Sequence, residues 1–299
     1  MPWSRSPSRP SRPRASAAPP PRLPPRSTFL VLSDANARLA AARGLTSPRA
    51  RREAGRFLAE GPQSLSQALR RPGVVLEVFA TEQAVARYGD LLADVPDGSL
   101  SLISDRAAAA LSETVHPQGL VAVCRTVDLT LSQVLAAGPR LVVLLVAAND
   151  PGNAGTILRT ADAAGADAVL FAGESVDPYN GKVVRASAGS LFHLDLVTGL
   201  EPRQAIQACR GAGLLTAATS CTGSTDLDEL ADAGGLAGPT AWIFGNEARG
   251  LDPELLALAE RAVRVPIHGA AESLNLAAAA AVCLYSSARE QRRAASERQ

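Results

Sequence analysis

A chain of 299 residues holds one large or two ordinary domains around a sizeable core, and an apolar fraction of 46% is that of a globular protein. No run approaches the roughly 18 apolar residues of a membrane span; the longest candidate, Leu276 to Tyr285, is mostly alanine and reads as a packed helix. Net charge is +1, yet residues 1–26 carry six Arg and no acid, so the remainder is acidic on balance and any RNA contact must use local arginine patches rather than bulk charge.

Residues 1–27 read as a disordered Pro/Arg-rich tail, since nine of the 21 prolines fall within the first 26 positions and nothing there can build a core. The stretch lacks the apolar segment of a secretory signal. A basic arm for RNA phosphates and a transit-like segment are open readings; an over-long translation start or a neutral tail is favoured. From Ser33 a helix is expected, with Ser33 as its cap, Leu39 inward and Gly44 past its end. Arg49, Arg51, Arg52 and Arg56 then cluster, either as a solvated face or as a grip on a phosphate backbone. A short apolar segment over 56–61, a helix from Pro62 to Arg70, a strand over 74–80, a helix over 82–92, a strand over 100–103, a helix capped by Ser104 and a strand over 119–124 complete an α/β module of roughly 95 residues.

Residues 128–139 form the expected linker, polar at its ends with a short helix and Gly138-Pro139. Beyond it, strand and helix patterns alternate from 141–148 to 272–290, which predicts a parallel sheet covered on both faces. The four cysteines (Cys124, Cys209, Cys221, Cys283) form no C-x-x-C pair, arguing against a metal site and a disulfide framework and for a reducing cytoplasm.

Three stretches carry chemistry. In the first, the apolar run Leu141–Ala148 suits a strand buried on both faces; the turn formers Asn149-Asp150-Pro151-Gly152-Asn153 follow, then a helix with Ile157 and Leu158 inward and Gly165 at its end. Residues beyond the C-terminal end of a parallel strand line the usual ligand crevice, which offers Asn153 and Arg159 to a site. The second, Ile243 to Leu251, runs a short strand into Gly245-Asn246-Glu247-x-x-Gly250, placing Glu247 at a strand end where a carboxylate needs a partner unless it is a solvated turn residue. The third, Val265 to Leu276, ends a strand at Pro266 and opens a helix with Ser273-Leu274-Asn275; a cap explains one of the two polar residues, less easily both. His268 reads as a loop residue. The G-x-G-x-x-G spacing of a dinucleotide oxidoreductase is absent.

Taken together, N-x5-R, F-G-N-E-x-x-G-L and P-x-x-G-x-x-x-S-L-N resemble the three motifs of the SpoU/TrmH family of RNA ribose 2′-O-methyltransferases in the SPOUT superfamily. Residues 53–125 are similar to that family's ribosomal-protein-like N-terminal module. The resemblance implies an α/β fold: a knotted (trefoil) SPOUT-type catalytic domain over 140–293, a substrate-binding domain over 28–127 and a short tail over 294–299. It implies S-adenosylmethionine held in a bent shape by loops 244–250 and 265–276, with Gly245, Val265 and Leu274 at cofactor-contacting positions and Ile267 adding apolar wall. Gly245 would let the ligand approach closely. Arg159 matches the catalytic arginine; Asn153, Glu247, Ser273 and Asn275 match the polar residues around it, and Arg185 matches a position facing RNA phosphate, an ordinary helix-surface arginine being the alternative. A guanidinium is a poor general base, so Arg159 would stabilise developing alkoxide or position the adjacent phosphate. The implied protein is a cytoplasmic homodimer acting on RNA, ribosomal before transfer RNA; a non-catalytic RNA-binding or ribosome-assembly factor of the same fold is the rival.

Overall fold

The computed structural model describes residues 30–297, so the tail expected over 1–27 lies outside the described residues. The first part of the chain forms β1 (Leu30–Val31), α1 (Ala37–Gly44), α2 (Pro48–Ala54), β2 (Arg56–Glu60), α3 (Gly61–Leu69), β3 (Val75–Ala80), α4 (Glu82–Arg87), α5 (Gly89–Leu92), β4 (Leu100–Leu102), α6 (Asp105–Leu111) and β5 (Leu120–Arg125). The second forms α7 (Leu131–Ala136), β6 (Leu141–Val146), α8 (Pro151–Ala164), β7 (Ala168–Ala172), α9 (Gly181–Ala186), a 3-10 turn (Ser190–Phe192), β8 (Asp195–Leu200), α10 (Pro202–Gly211), β9 (Leu215–Thr219), β10 (Thr225–Asp226), α11 (Leu227–Asp232), β11 (Thr240–Phe244), α12 (Pro253–Leu256), β12 (Arg261–Arg264) and α13 (Leu276–Ser296).

Two sheets result. The N-terminal sheet has the order β1-β4-β3-β5-β2, with β5 antiparallel to both neighbours. The C-terminal sheet, β10-β12-β9-β11-β6-β7-β8, is parallel throughout, as the alternation of strand and helix patterns predicts. Its central strand β6 is buried at every position. Leu141, Val143 and Leu145 face Ile157, Leu158 and Leu284 on one side, and Val142, Leu144 and Val146 join Val134 and Ile206 on the other. That pleat, apolar on both faces, is why the run Leu141–Val146 carries no polar residue.

Local departures from the sequence reading have local causes. The first helix is capped by Asn36 in place of Ser33, because Asn36 Oδ1 accepts from Arg38 N. The arginine cluster folds as α2, which Pro48 opens and Gly55 ends at φ 59°. The helix expected over 82–92 breaks at Tyr88, and 294–296, expected as tail, continue α13.

The expected linker does not separate two cores. One continuous apolar cluster runs from Phe57, Leu65, Val78 and Leu120 into Val143, Leu158, Tyr179 and Phe192. Phe57 stands with its ring centroid 4.6 Å from that of Tyr179 and 5.9 Å from that of Phe192, so β2 packs its aromatic side chain between two rings of the other domain.

Candidate active site and cofactor cleft

The first motif is built by the exit from β6. Ala147 turns the chain at φ 51°, a left-handed conformation that costs an alanine on the order of 1 kcal/mol. Asn246 Nδ2, from the second motif, donates to Ala147 O at 2.9 Å and holds this turn in place. Asp150 then caps α8, its Oδ1 accepting from Asn153 N at 2.7 Å with Pro151 in the first turn. Asn153 thus lies within the first turn of the helix, and the expected stop at Gly165 is made by a left-handed φ of 81°.

Glu247 is the hub to which the motifs attach. Its Oε2 accepts from Asn149 N at 3.2 Å, and its Oε1 from Asp150 N at 3.1 Å and from Asn153 Nδ2 at 3.3 Å. Partial burial works to raise its pKa, but the N–H groups of Glu247, Asp150 and Asn149 and the Asn153 amide outweigh it and hold the carboxyl below its ordinary 4.5. Glu247 is therefore an ionised acceptor that ties the β11 loop to the start of α8. Asn275 completes the set: its Oδ1 caps α13 by accepting from Ala277 N and Ala278 N, while its Nδ2 donates to Asn153 Oδ1 at 3.0 Å. A helix cap and a link between motifs are served by one side chain.

The second and third motifs enclose a cleft of about 540 Å³, a volume suited to a small-molecule cofactor. Gly245, Glu247, Val265, Ile267, Ser273 and Leu274 line it together. It opens at the C-terminal ends of β9, β11 and β12, where an α/β sheet ordinarily binds its ligand. Ile267 and Leu274 are 36% and 38% exposed at its wall, large apolar surfaces that a flat, partly apolar ligand would cover. Gly245 is also needed for a reason within its own loop. A Cβ there would lie 2.4 Å from the carbonyl carbon of Gly250, inside the loop itself, so the glycine lets the paired Asn246 and Gly250 backbones close.

Arg159 is exposed on α8 and has no acidic partner among the described residues. It does not line the cleft. Of the arginines expected to meet RNA, Arg49, Arg52 and Arg56 are exposed, Arg49 within a surface pair with Glu53 that is worth little. Of the other two, Arg51 is corrected and Arg185 is engaged within the protein. Arg51 is 3% exposed and points inward, where Nε donates to Asp177 Oδ2 and Nη1 donates to the carbonyls of Leu45 and Thr46, so it cannot reach a phosphate. Arg185 is drawn between the carboxylates of Glu60 and Glu113, at 3.4 and 3.5 Å.

Sequence reasoning missed Thr219, Ser220, Cys221 and Arg264, which share the cleft wall. Thr219 ends β9, and Ser220 and Cys221 follow it at the same C-terminal edge of the sheet. Sequence reasoning also missed Asn246, whose side chain pins Ala147. Among the described residues no group of His, Cys, Asp and Glu could hold a metal, and no helix is long and apolar enough to cross a membrane.

Comparison with known proteins agrees with this geometry. Residues 140–285 match the model of the SpoU rRNA Methylase family, and residues 36–122 that of the MRM3-like substrate binding domain. The chain is 34% identical over 242 residues to the 23S rRNA (guanosine(2553)-2'-O)-methyltransferase RlmP of Bacillus subtilis, covering 81% of this chain and 92% of that protein. It is 30% identical over 247 residues to a 23S rRNA (uridine(2479)-2'-O)-methyltransferase of Streptomyces viridochromogenes, covering 80% and 85%. Among solved structures, the AdoMet-bound rRNA methyltransferase of Sinorhizobium meliloti superposes with a TM-score of 0.75 at 28% identity, over 88% of this chain and 98% of that one. The SpoU methyltransferase AviRb of Streptomyces viridochromogenes in complex with AdoMet gives 0.75 at 28% identity, over 86% and 100%. Matched by two family models, 34% identical to a relative covered over 92% of its length and superposed on solved structures over most of its own, this chain belongs to the SpoU rRNA methylase family.

Proposed function

We infer that the protein transfers a methyl group from S-adenosylmethionine to the 2′-hydroxyl of a ribose in ribosomal RNA. The observation that carries this reading is the convergence of Gly245–Gly250 and Val265–Leu276 on one cleft, with Glu247 of its wall bonded to Asn153 and Asn153 in turn to Asn275. The residues present fit the cofactor: apolar Val265, Ile267 and Leu274 offer walls for an adenine, and backbone groups of the two loops offer hydrogen bonds. S-adenosylmethionine supplies an electrophilic methyl group when bound. Asn153, Glu247 and Asn275 hold the loops that shape its site, and Ser273 offers a hydroxyl at the cleft wall. Arg159, without an acidic partner among the described residues, meets the RNA, where a guanidinium stabilises the developing alkoxide or fixes the neighbouring phosphate. The departing proton goes to a phosphate oxygen or to water.

Residues 28–127 act as the RNA reader and 140–293 as the catalytic domain, joined by 128–139, with exposed Arg49, Arg52 and Arg56 on RNA phosphate. The chain works in the cytoplasm as a homodimer. Support for the dimer comes from α13, where Ala278, Val282 and Tyr285 stand outward at i, i+4 and i+7 beside α8, with Val282 41% and Tyr285 53% exposed. The deciding experiment is labelled methyl transfer to total RNA, followed by mapping of 2′-O-methyl sites with and without the gene. New label on ribosomal RNA is expected at a discrete position; label on transfer RNA alone, or none, overturns the reading.

A further inference from the structure

Resting on that function, the structure assigns Arg51 a positioning role: it locks the RNA-reading module onto the loop that sets the angle of the catalytic helix α8. Arg51 is the one buried arginine among the described residues. A buried guanidinium is tolerated where its charge and donors are met; here Nε and Nη1 are hydrogen-bonded, and Nη2, without a hydrogen bond of its own, is held by the charge of Asp177. Nε donates to Asp177 Oδ2 at 2.8 Å, Nη2 lies 2.7 Å from the same oxygen, and Nη1 donates to Leu45 O at 3.0 Å and Thr46 O at 2.9 Å. One side chain thereby ties the α1–α2 turn of the reader to the 173–180 loop of the catalytic domain.

From Asp177 the connections run on to the reacting groups. Asp177 Oδ1 accepts from Tyr179 N at 2.8 Å, and the Tyr179 hydroxyl accepts from Val127 N at 2.9 Å, where the chain leaves the reader. Asn180, next in sequence, caps α9 through Lys182 N. Helix α9 then meets α8 with no slack, since a Cβ on Gly155 would lie 2.4 Å from Ala186 Cβ and 2.8 Å from Val183 O. Gly155 lies between Asn153 and Arg159 on α8. The reader's orientation and the placement of those two residues are thus set by one unbroken chain of contacts, and Arg51 is the charge at its head. A second tie runs in parallel, from Arg185 on α9 to Glu60 at the end of β2, to which Thr114 Oγ1 also donates at 2.8 Å.

A positioning residue separates from a merely structural one by what remains intact when it is lost. We would compare the full chain with Arg51→Met, Arg51→Lys and Asp177→Asn, the last keeping an oxygen for Tyr179 N should the methionine variant fail to fold. Calorimetric titration with S-adenosylmethionine counts competent sites; single-turnover methylation of ribosomal RNA from cells lacking the gene, over a range of RNA concentrations, then gives a rate per site. The expected result is an unchanged cofactor dissociation constant, an RNA KM within about threefold, and a methylation rate lower by about tenfold or more, as misplacement on the ångström scale produces. Label should also spread to nucleotides beside the natural target, and Arg51→Lys should restore part of the rate. Rates per competent site within twofold of the native chain, at one unshifted position, overturn the assignment alone. A native chain that leaves this RNA unlabelled overturns the functional reading and this assignment together.

Discussion

Asn275 Nδ2 donates to Asn153 Oδ1 at 3.0 Å, joining the first and third motifs across 122 residues of sequence. Since Asn153 Nδ2 is spent on Glu247, its amide works as a two-ended connector, donor on one side and acceptor on the other. Asn153→Asp removes the donor and sets a second carboxylate about 3.3 Å from Glu247 Oε1. Repulsion there amounts to about 1 to 5 kcal/mol between solvent-like and surface-like dielectrics. We expect cofactor affinity, read by calorimetry, to fall about tenfold or more, and Asn153→Ala to lose less than the aspartate. Equal losses for the two would show that the connector geometry is unimportant.

Arg159→Ala should lower the single-turnover methylation rate by about 100-fold or more while cofactor affinity stays within a few-fold, in keeping with the loss of a group that stabilises charge at the reacting centre. The separation rests on position, because Arg159 stands outside the cleft wall. Arg159→Lys should also be strongly impaired, since a point charge cannot reproduce planar two-point contact. A native rate in either variant refutes the role.

Glu247 makes an acid-side prediction. Its folded pKa lies below 4.5, so between that value and 4.5 the unfolded chain binds more protons than the folded one. The stability it contributes is fully present above about 4.5, and is lost as pH falls through the folded value. Thermal denaturation from about pH 3 to 7 should show a gap between the native chain and Glu247→Gln that is constant near neutrality and narrows below pH 4.5. A gap independent of pH would mean that the carboxylate charge is not what the loop amides hold.

The thiols provide a readout of cleft occupancy. Burial pushes Cys124 up to about 12 and Cys209 to about 11, and raises Cys283 as well, whereas Cys221 is exposed on the cleft wall. Iodoacetamide on the native protein should therefore give one adduct, at Cys221, by peptide mass spectrometry. Saturating S-adenosylhomocysteine should slow it severalfold. Labelling at an unchanged rate would place the cofactor elsewhere.

How far the site was legible follows from how local each signal is. The β6 run, the glycine that ends α8 and the three motif segments declare themselves within a few residues, and spacing then gathers Gly245, Glu247, Val265, Ser273 and Leu274 into one cleft. Arg51 could not be told from its neighbours Arg49, Arg52 and Arg56, because what distinguishes it is Asp177, 126 residues away. Arg185 was opaque for the same reason, its carboxylates coming from β2 and from the segment after α6. Gly245 was singled out correctly as a position for glycine, but the obstructing atoms belong to Gly250, which only the closed loop reveals.

The apolar cluster that runs unbroken from Phe57 to Tyr179 and Phe192 has a consequence for how such a protein is inherited and rebuilt. Two modules that share a core melt together, so calorimetry should record one endotherm rather than two. They also cannot be exchanged like beads on a string. A reader transplanted from a relative brings its own residue at position 57, and unless that residue fits between the two rings the chimaera opens a cavity at its centre, which for a lost phenylalanine costs about 3 to 5 kcal/mol. Target choice can therefore diversify freely on the outer face of the reader, while the face turned toward Tyr179 must change in step with the enzyme beneath it.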